Sequence, residues 1–215
     1  MFLVGITQDE LVRYVGRQVD VLFPDGKRET EGLLRQDMDE TLARLEFCLE
    51  RVRMWRGSGF YPMHSEKNTV FLYYLANTIW RNRNNQNLCE KLFYLNKALN
   101  GFHCFYDTIL PDVFFIGHSV GIVLVRTQYA NYLALYQGAT VGKNHDRAPV
   151  FEEGVVLYPG SAVIGGCLIR TRSYISQNAS VIDQDTPGNC VVYSNEGKIV
   201  CKPPKRDIFT DFFYI

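Results

Sequence analysis

The 215-residue sequence has no excess of charge of either sign, no long apolar run and no closely spaced cysteines. With 23 basic residues set against 23 acidic ones, it carries no broad field that would draw it to nucleic acid or an anionic membrane. No apolar stretch approaches the ~20 residues of a membrane-spanning helix, and the opening MFLVGITQDE lacks the basic segment and apolar core of a secretory leader. A cytoplasmic protein that engages neither nucleic acid nor membrane is expected. The six cysteines, Cys48, Cys89, Cys104, Cys167, Cys190 and Cys201, form no CxxC and no tight Cys/His spacing. Buried reduced thiols are expected, with no disulfide and no metal site.

What is present is a rhythm. In GVVLYPGSAVIGGCLIRTRSYISQNASVI (154–182), the branched residues Leu157, Val163, Ile169, Ile175 and Val181 recur six apart. Four residues after the first four of them stand Ser161, Cys167, Ser173 and Ala179, all small. Helical steps of roughly 100° scatter such positions around the axis, and a flat strand would need a turn every few residues. A solenoid satisfies both patterns: each hexad is one short strand and a corner, the branched residue points inward, and three hexads close a triangular coil. The frame runs backward through Val141, Leu135, Tyr129 and Val123. From Val141 to Phe151 there are ten residues where a hexad needs six, so GKNHDRAPV is a loop thrown out of the coil. Such loops are where function usually sits.

The first hundred residues have a helical texture. Thr7 with Glu10 makes a capping box ahead of Leu11, Val15, Val19 and Leu22, and Asp25-Gly26 closes that unit. A second stretch carries Leu34 through Val52 and stops near Gly57-Ser58-Gly59, and a third runs approximately from Thr69 to Arg81. A fourth shows Leu88, Leu92, Leu95 and Leu99 before Asn100-Gly101, a C-cap signal. The expected class is α+β: a helical domain (1–104), a parallel β-helix (105–195) and a tail (196–215).

The run HSVGIVL (118–124), then LYQGATVG (135–142), then DRAP (146–149) and the hexads of 154–182 together resemble the serine acetyltransferase family of left-handed, hexapeptide-repeat β-helix acyltransferases. The resemblance covers roughly residues 105–195 in order and spacing, with the interval from His118 to Gln137 one residue short of the family pattern. It implies direct attack of an acceptor hydroxyl on acetyl-CoA, with active sites at the contacts of a homotrimer or a dimer of trimers. His118 takes the position of the base, a role that suits a neutral imidazole. An upstream carboxylate orients the base in the family; Asp112 and, behind it, Asp107 are the candidates here, though neither keeps the family's distance.

Gln137 and Arg147 take substrate-side positions, Arg147 as a bidentate partner for a carboxylate. Two departures stand out: the family's Asp before the base is Gly117, and its loop His is Ala148, with His145 three residues away as a substitute. Coenzyme A is expected along the coils, beside Gly142, Lys143, Pro159-Gly160 and Ser176-Gln177, with Lys198, Lys202 and Lys205 in reach of its phosphates. The chain ends in Ile215, the residue type that docks into a partner sulfhydrylase in the family, while Phe212, Phe213 and Tyr214 are expected to pack back on the protein.

Because both changed positions read serine in the family, the leading expectation for the acceptor is a sugar or another small hydroxylated metabolite. Serine itself is the alternative, and a non-catalytic scaffold the third reading.

Overall fold

The computed structural model describes residues 2–26, 30–195 and 198–215. Four helices come first: α1 (Gln8–Leu22), α2 (Thr30–Leu49), α3 (Ser65–Arg83) and α4 (Gln86–Asn100). The Thr7/Glu10 capping box forms as expected, Glu10 N–H donating to Thr7 Oγ1 at 3.3 Å and Thr7 N–H to Glu10 Oε2 at 2.8 Å. Residues 67–79 of α3 are buried on every side, which makes it the central helix of the bundle. Gly101 closes α4 with φ +65°, the left-handed C-cap that glycine adopts without strain.

The β-helix follows in strands of two or three residues. In chain order they are β1 (Phe102–Cys104), β2 (Phe114–Ile116), β3 (Ile122–Leu124), β4 (Gln128–Tyr129), β5 (Leu133–Leu135) and β6 (Thr140–Gly142). Then come β7 (Val150–Phe151), β8 (Val156–Leu157), β9 (Ala162–Ile164), β10 (Leu168–Ile169), β11 (Ser173–Ile175) and β12 (Ser180–Ile182). They stack into three parallel faces: β2-β5-β8-β11, then β1-β3-β6-β9-β12, then β4-β7-β10. The first of these faces is extended by β13 (Cys190–Asn195), and β14 (Lys198–Lys202) turns back antiparallel on β13. β1 already belongs to the coil, so the solenoid starts directly after α4. Glu196 and Gly197, the first residues of the expected tail, lie outside the described residues.

All five hexad residues, Leu157, Val163, Ile169, Ile175 and Val181, are fully buried, and the small residues Ser161, Cys167, Ser173 and Ala179 are buried at the corners. Phe151 pairs with Tyr129 and Ile169, so the frame resumes after the extruded loop as the spacing implies. The backward trace fails at its last step: Val123 is 40% exposed, while Ile122 and Leu124 point inward. Leu124, not Val123, stands opposite Val141, because the corner between Leu124 and Tyr129 is one residue short of a hexad.

The two halves share one core. Tyr73 Oη donates to Thr108 O at 2.8 Å and accepts from Leu110 N–H at 2.8 Å, and Trp55 packs on Phe115. The tail closes the joint: Phe213 is fully buried, Arg53 N–H donates to Phe212 O at 2.9 Å, and Tyr214 N–H donates to Arg51 O at 2.8 Å. The aromatic residues pack back as expected, and Ile215 alone stands out, 90% exposed.

Five cysteines are buried and only Cys201 is exposed. Burial pushes the Cys48 thiol up to about 11 and that of Cys89 to about 12, so they are inert at neutral pH. Among the described residues no helix is long and apolar enough to cross a membrane, and no cluster of His, Cys, Asp and Glu is arranged to hold a metal ion.

Candidate active site

The turn after β2 carries His118. Ile116, Leu135, Leu157 and Ile175 stand in register on adjacent coils, so the residues two further on, His118, Gln137, Pro159 and Gln177, line one corner of the prism. The next residues lock the stack: Gly138 N–H donates to Val120 O, Gly160 N–H to Gln137 O and Asn178 N–H to Pro159 O, at 2.9 to 3.0 Å. With about 4.8 Å between neighbouring strands, this edge runs roughly 14 Å from His118 to Gln177.

At its upper end the corner meets the helices in a cleft of about 340 Å³, where His118, Ser119 and Gln137 face Ser65, Glu66 and Asn100. The helical wall is fixed by buried amides: Asn100 Nδ2 donates to Asn96 Oδ1 at 2.8 Å and to Asn68 Oδ1 at 3.3 Å, and Asn96 Nδ2 to Thr69 O at 3.0 Å. Gln137 Oε1 is buried without a hydrogen-bond partner among the described residues, an acceptor left for something that enters the cleft.

Glu66 is the carboxylate that reaches His118. Its Oε1 lies 3.7 Å from His118 Nδ1, beyond a hydrogen bond but within ion-pair distance, while Oε2 accepts from Ser65 Oγ at 2.8 Å and lies 3.3 Å from His64 Nδ1. Partial burial pushes the Glu66 carboxyl upward, but the Ser65 hydroxyl, its own backbone N–H and the two imidazoles outweigh that and hold it below the usual range. Its place in the first turn of α3 is also where a helix favours negative charge.

The two expected orienting carboxylates lie elsewhere. Asp112 lines a separate cleft with Arg44, Phe47 and Tyr74, and Asp107 is paired with Arg126. Glu66, which approaches His118 from the helical half, is not legible in the sequence because it is 52 positions upstream of His118 and resembles any acidic first-turn residue.

The loop residues are also apart from His118. Gly142, Lys143, His145 and Arg147 sit on the next corner, one face and about 10 Å of strand away. That loop is pinned: Asp183 accepts from Arg147 at 2.9 Å, from Asn144 at 2.6 Å and from Gly166 N–H at 2.8 Å. Arg147 is therefore already paired, and His145 is held at φ +46° in the same turn.

At the lower end of the His118 corner, Ser176, Gln177 and Lys202 come together with Lys205, Tyr158 and Tyr174 around a groove of about 510 Å³. Lys198 is exposed on β14 and stands outside this lining. The backbone donors expected here are mostly spent. Pro159 has no N–H, that of Gly160 goes to Gln137 O at 2.9 Å, and that of Ser176 to Val192 O at 2.9 Å. What this groove offers instead is side chains: Lys202, Lys205 and the faces of Tyr158 and Tyr174.

A helical bundle joined to a parallel β-helix is the fold of the serine acetyltransferases. No family model matches the chain, and no curated protein is similar to it in sequence. Among solved structures, serine acetyltransferase from Neisseria gonorrhoeae is similar at a TM-score of 0.72 and 16% identity, over 94% of this chain and 82% of that one. The same enzyme in complex with serine gives 0.71 and 15%, over 92% and 84%. Serine acetyltransferase from Brucella abortus strain S19 in complex with coenzyme A gives 0.67 and 16%, over 94% and 84%. The likeness takes in the helical half as well as the coil.

Proposed function

We propose that the protein is an acetyl-CoA-dependent O-acetyltransferase in which His118 is the base and a hydroxylated amino acid of the serine type is the acceptor. One observation carries the reading: a cleft holding His118, Gln137 and Glu66 opens at one end of a corner whose other end is a basic, tyrosine-lined groove. The roughly 14 Å between them suits an extended pantetheine arm, with its thioester at His118 and its phosphates near Lys202 and Lys205.

Acetyl-CoA supplies the activated acyl group. His118 Nε2 takes the acceptor's hydroxyl proton as the new C–O bond forms and the C–S bond breaks; the imidazolium then returns that proton to the departing thiolate. Glu66, on the Nδ1 side, stabilises the imidazolium while it exists.

Serine is favoured over a sugar for two reasons. The charge missing at Gly117 has a counterpart in the same cleft, Glu66, and the likeness to the serine-bound enzyme extends through the helices that carry it. Arg147 and His145 lie one face away, so they complete this cleft only if a neighbouring copy presents its loop, as in a homotrimer. A CoA-release assay with acetyl-CoA and L-serine tests the reading, and a thermal shift with acetyl-CoA separates it from a scaffold, which would bind none.

A further inference from the structure

The cleft around His118 has an unusual charge balance. Its lining contains one carboxylate, Glu66, and no lysine or arginine. A base must be neutral to accept a proton, so with His118 uncharged the cleft holds one net negative charge. The position before His118 contributes nothing, because Gly117 has no side chain and an added Cβ would meet Tyr136 Cε1 at 2.5 Å. Glu66 is 22% exposed at its side chain, partly desolvated yet open to the cleft; its Oε2 is taken by Ser65 Oγ, while its Oε1 faces His118 Nδ1 at 3.7 Å, beyond a hydrogen bond.

We propose that Glu66 is the specificity-determining carboxylate of this site, taking the ammonium of an acceptor that carries a cationic amine beside its hydroxyl. The inference rests on the acetyltransferase reading and adds the residue that selects the acceptor. Arg147, the cation expected for an acceptor carboxylate, is on another corner and bound to Asp183 at 2.9 Å. Within one chain the cleft thus offers a charged partner to the amine and none to the carboxylate.

The test is steady-state kinetics of CoA release with L-serine, ethanolamine and D-glycerate, three hydroxyl acceptors that carry both charges, the amine alone and the carboxylate alone. The wild type is expected to use serine and ethanolamine, and glycerate poorly. Glu66→Gln is expected to raise KM for both amines by roughly ten- to a hundred-fold, the usual worth of one charged hydrogen bond. For glycerate its KM stays within about two-fold, and Glu66→Asp recovers part of the amine preference. A role confined to orienting His118 gives a different pattern, an equal fall in kcat for all three acceptors with KM unmoved, and that result overturns the assignment. Wild-type protein that uses glycerate as well as serine overturns it too while leaving the acetyltransferase reading intact. Wild-type protein that releases CoA with none of the three removes both.

Discussion

A Cβ placed on Gly117 would lie 2.5 Å from Cε1 of Tyr136, closer than any side chain tolerates. Gly117 is therefore a packing residue: the Tyr136 ring, stacked on Tyr158 at 5.6 Å and edge-on to Phe115 at 6.0 Å, fills the space a side chain there would need. Restoring there the carboxylate that precedes the histidine in the serine acetyltransferase pattern requires the Tyr136 ring to shift. Gly117→Asp should destabilise the protein by about 1–3 kcal/mol, as overpacking does. In the Gly117→Asp/Tyr136→Ala double variant the loss should be smaller than the sum of the two single losses, with a coupling of roughly 0.5–3 kcal/mol. Urea denaturation of the four proteins measures it, and strict additivity would remove the steric account.

His118 is the second test. His118→Ala should lower kcat by about 10²- to 10⁴-fold, the usual worth of a positioned general base. Acetyl-CoA affinity, read by calorimetry, should stay within a few-fold, because the groove proposed for its phosphates lies at the other end of the corner. Retained turnover would exclude His118 as the base and move attention to His64, which shares Glu66 with it.

These two predictions draw on different levels of the molecule, and the sequence disclosed them unequally. The hexads of Leu157 through Val181 were legible because a solenoid repeats one local rule, so register in the chain is register in space. The capping box of α1 and the Gly101 cap were legible for the same local reason. Val123 was misplaced because one irregular turn shifts every earlier residue of a periodic frame. Asp112 and Asp107 were favoured by nearness in sequence, but the strands carry them to Arg44 and Arg126, and the carboxylate at His118 comes from a helix packed across the coil. Nothing in a helix's own pattern tells which part of a β-helix its first turn will face.

The loop that holds Arg147 gives a pH prediction. The Gly166 N–H and the Asn144 amide, assisted by Arg147 and His145, hold the Asp183 carboxyl below the usual aspartate range against a small desolvation effect. A carboxyl depressed on folding stabilises above its unfolded pKa of about 3.9, and the contribution disappears as pH falls through the lower folded value. Amide exchange in residues 143–149 should thus be insensitive to this group from pH 5 to 8 and should lose protection only below about pH 4. Asp183→Asn should show that loosened loop already at pH 7.

Thiol labelling gives a check on the packing. Of the six cysteines only Cys201 is exposed, and burial raises the thiols of Cys48, Cys89 and Cys104. A maleimide at neutral pH should attach to one site in the native protein and to six in denaturant. Native labelling at Cys167 or Cys190 would mean that the coil is opened at its corners.

The tail's seat between coil and helices can be tested by substitution. Phe213 is fully buried against Tyr132 at 5.5 Å and Phe212 at 6.3 Å, its carbonyl accepts from Arg53 Nε at 3.1 Å, and Tyr214 is held between Arg53 and Arg56. Phe213→Ala should cost about 3–5 kcal/mol, the range for a large aromatic removed from a core. Ile215, 90% exposed, should be nearly silent: Ile215→Ala should change stability by no more than about 0.5 kcal/mol. Urea denaturation of the two variants measures both changes. A large loss for Phe213→Ala beside an unmoved Ile215→Ala makes residues 207–214 a clamp between coil and helices, and a small loss for Phe213→Ala would remove that role.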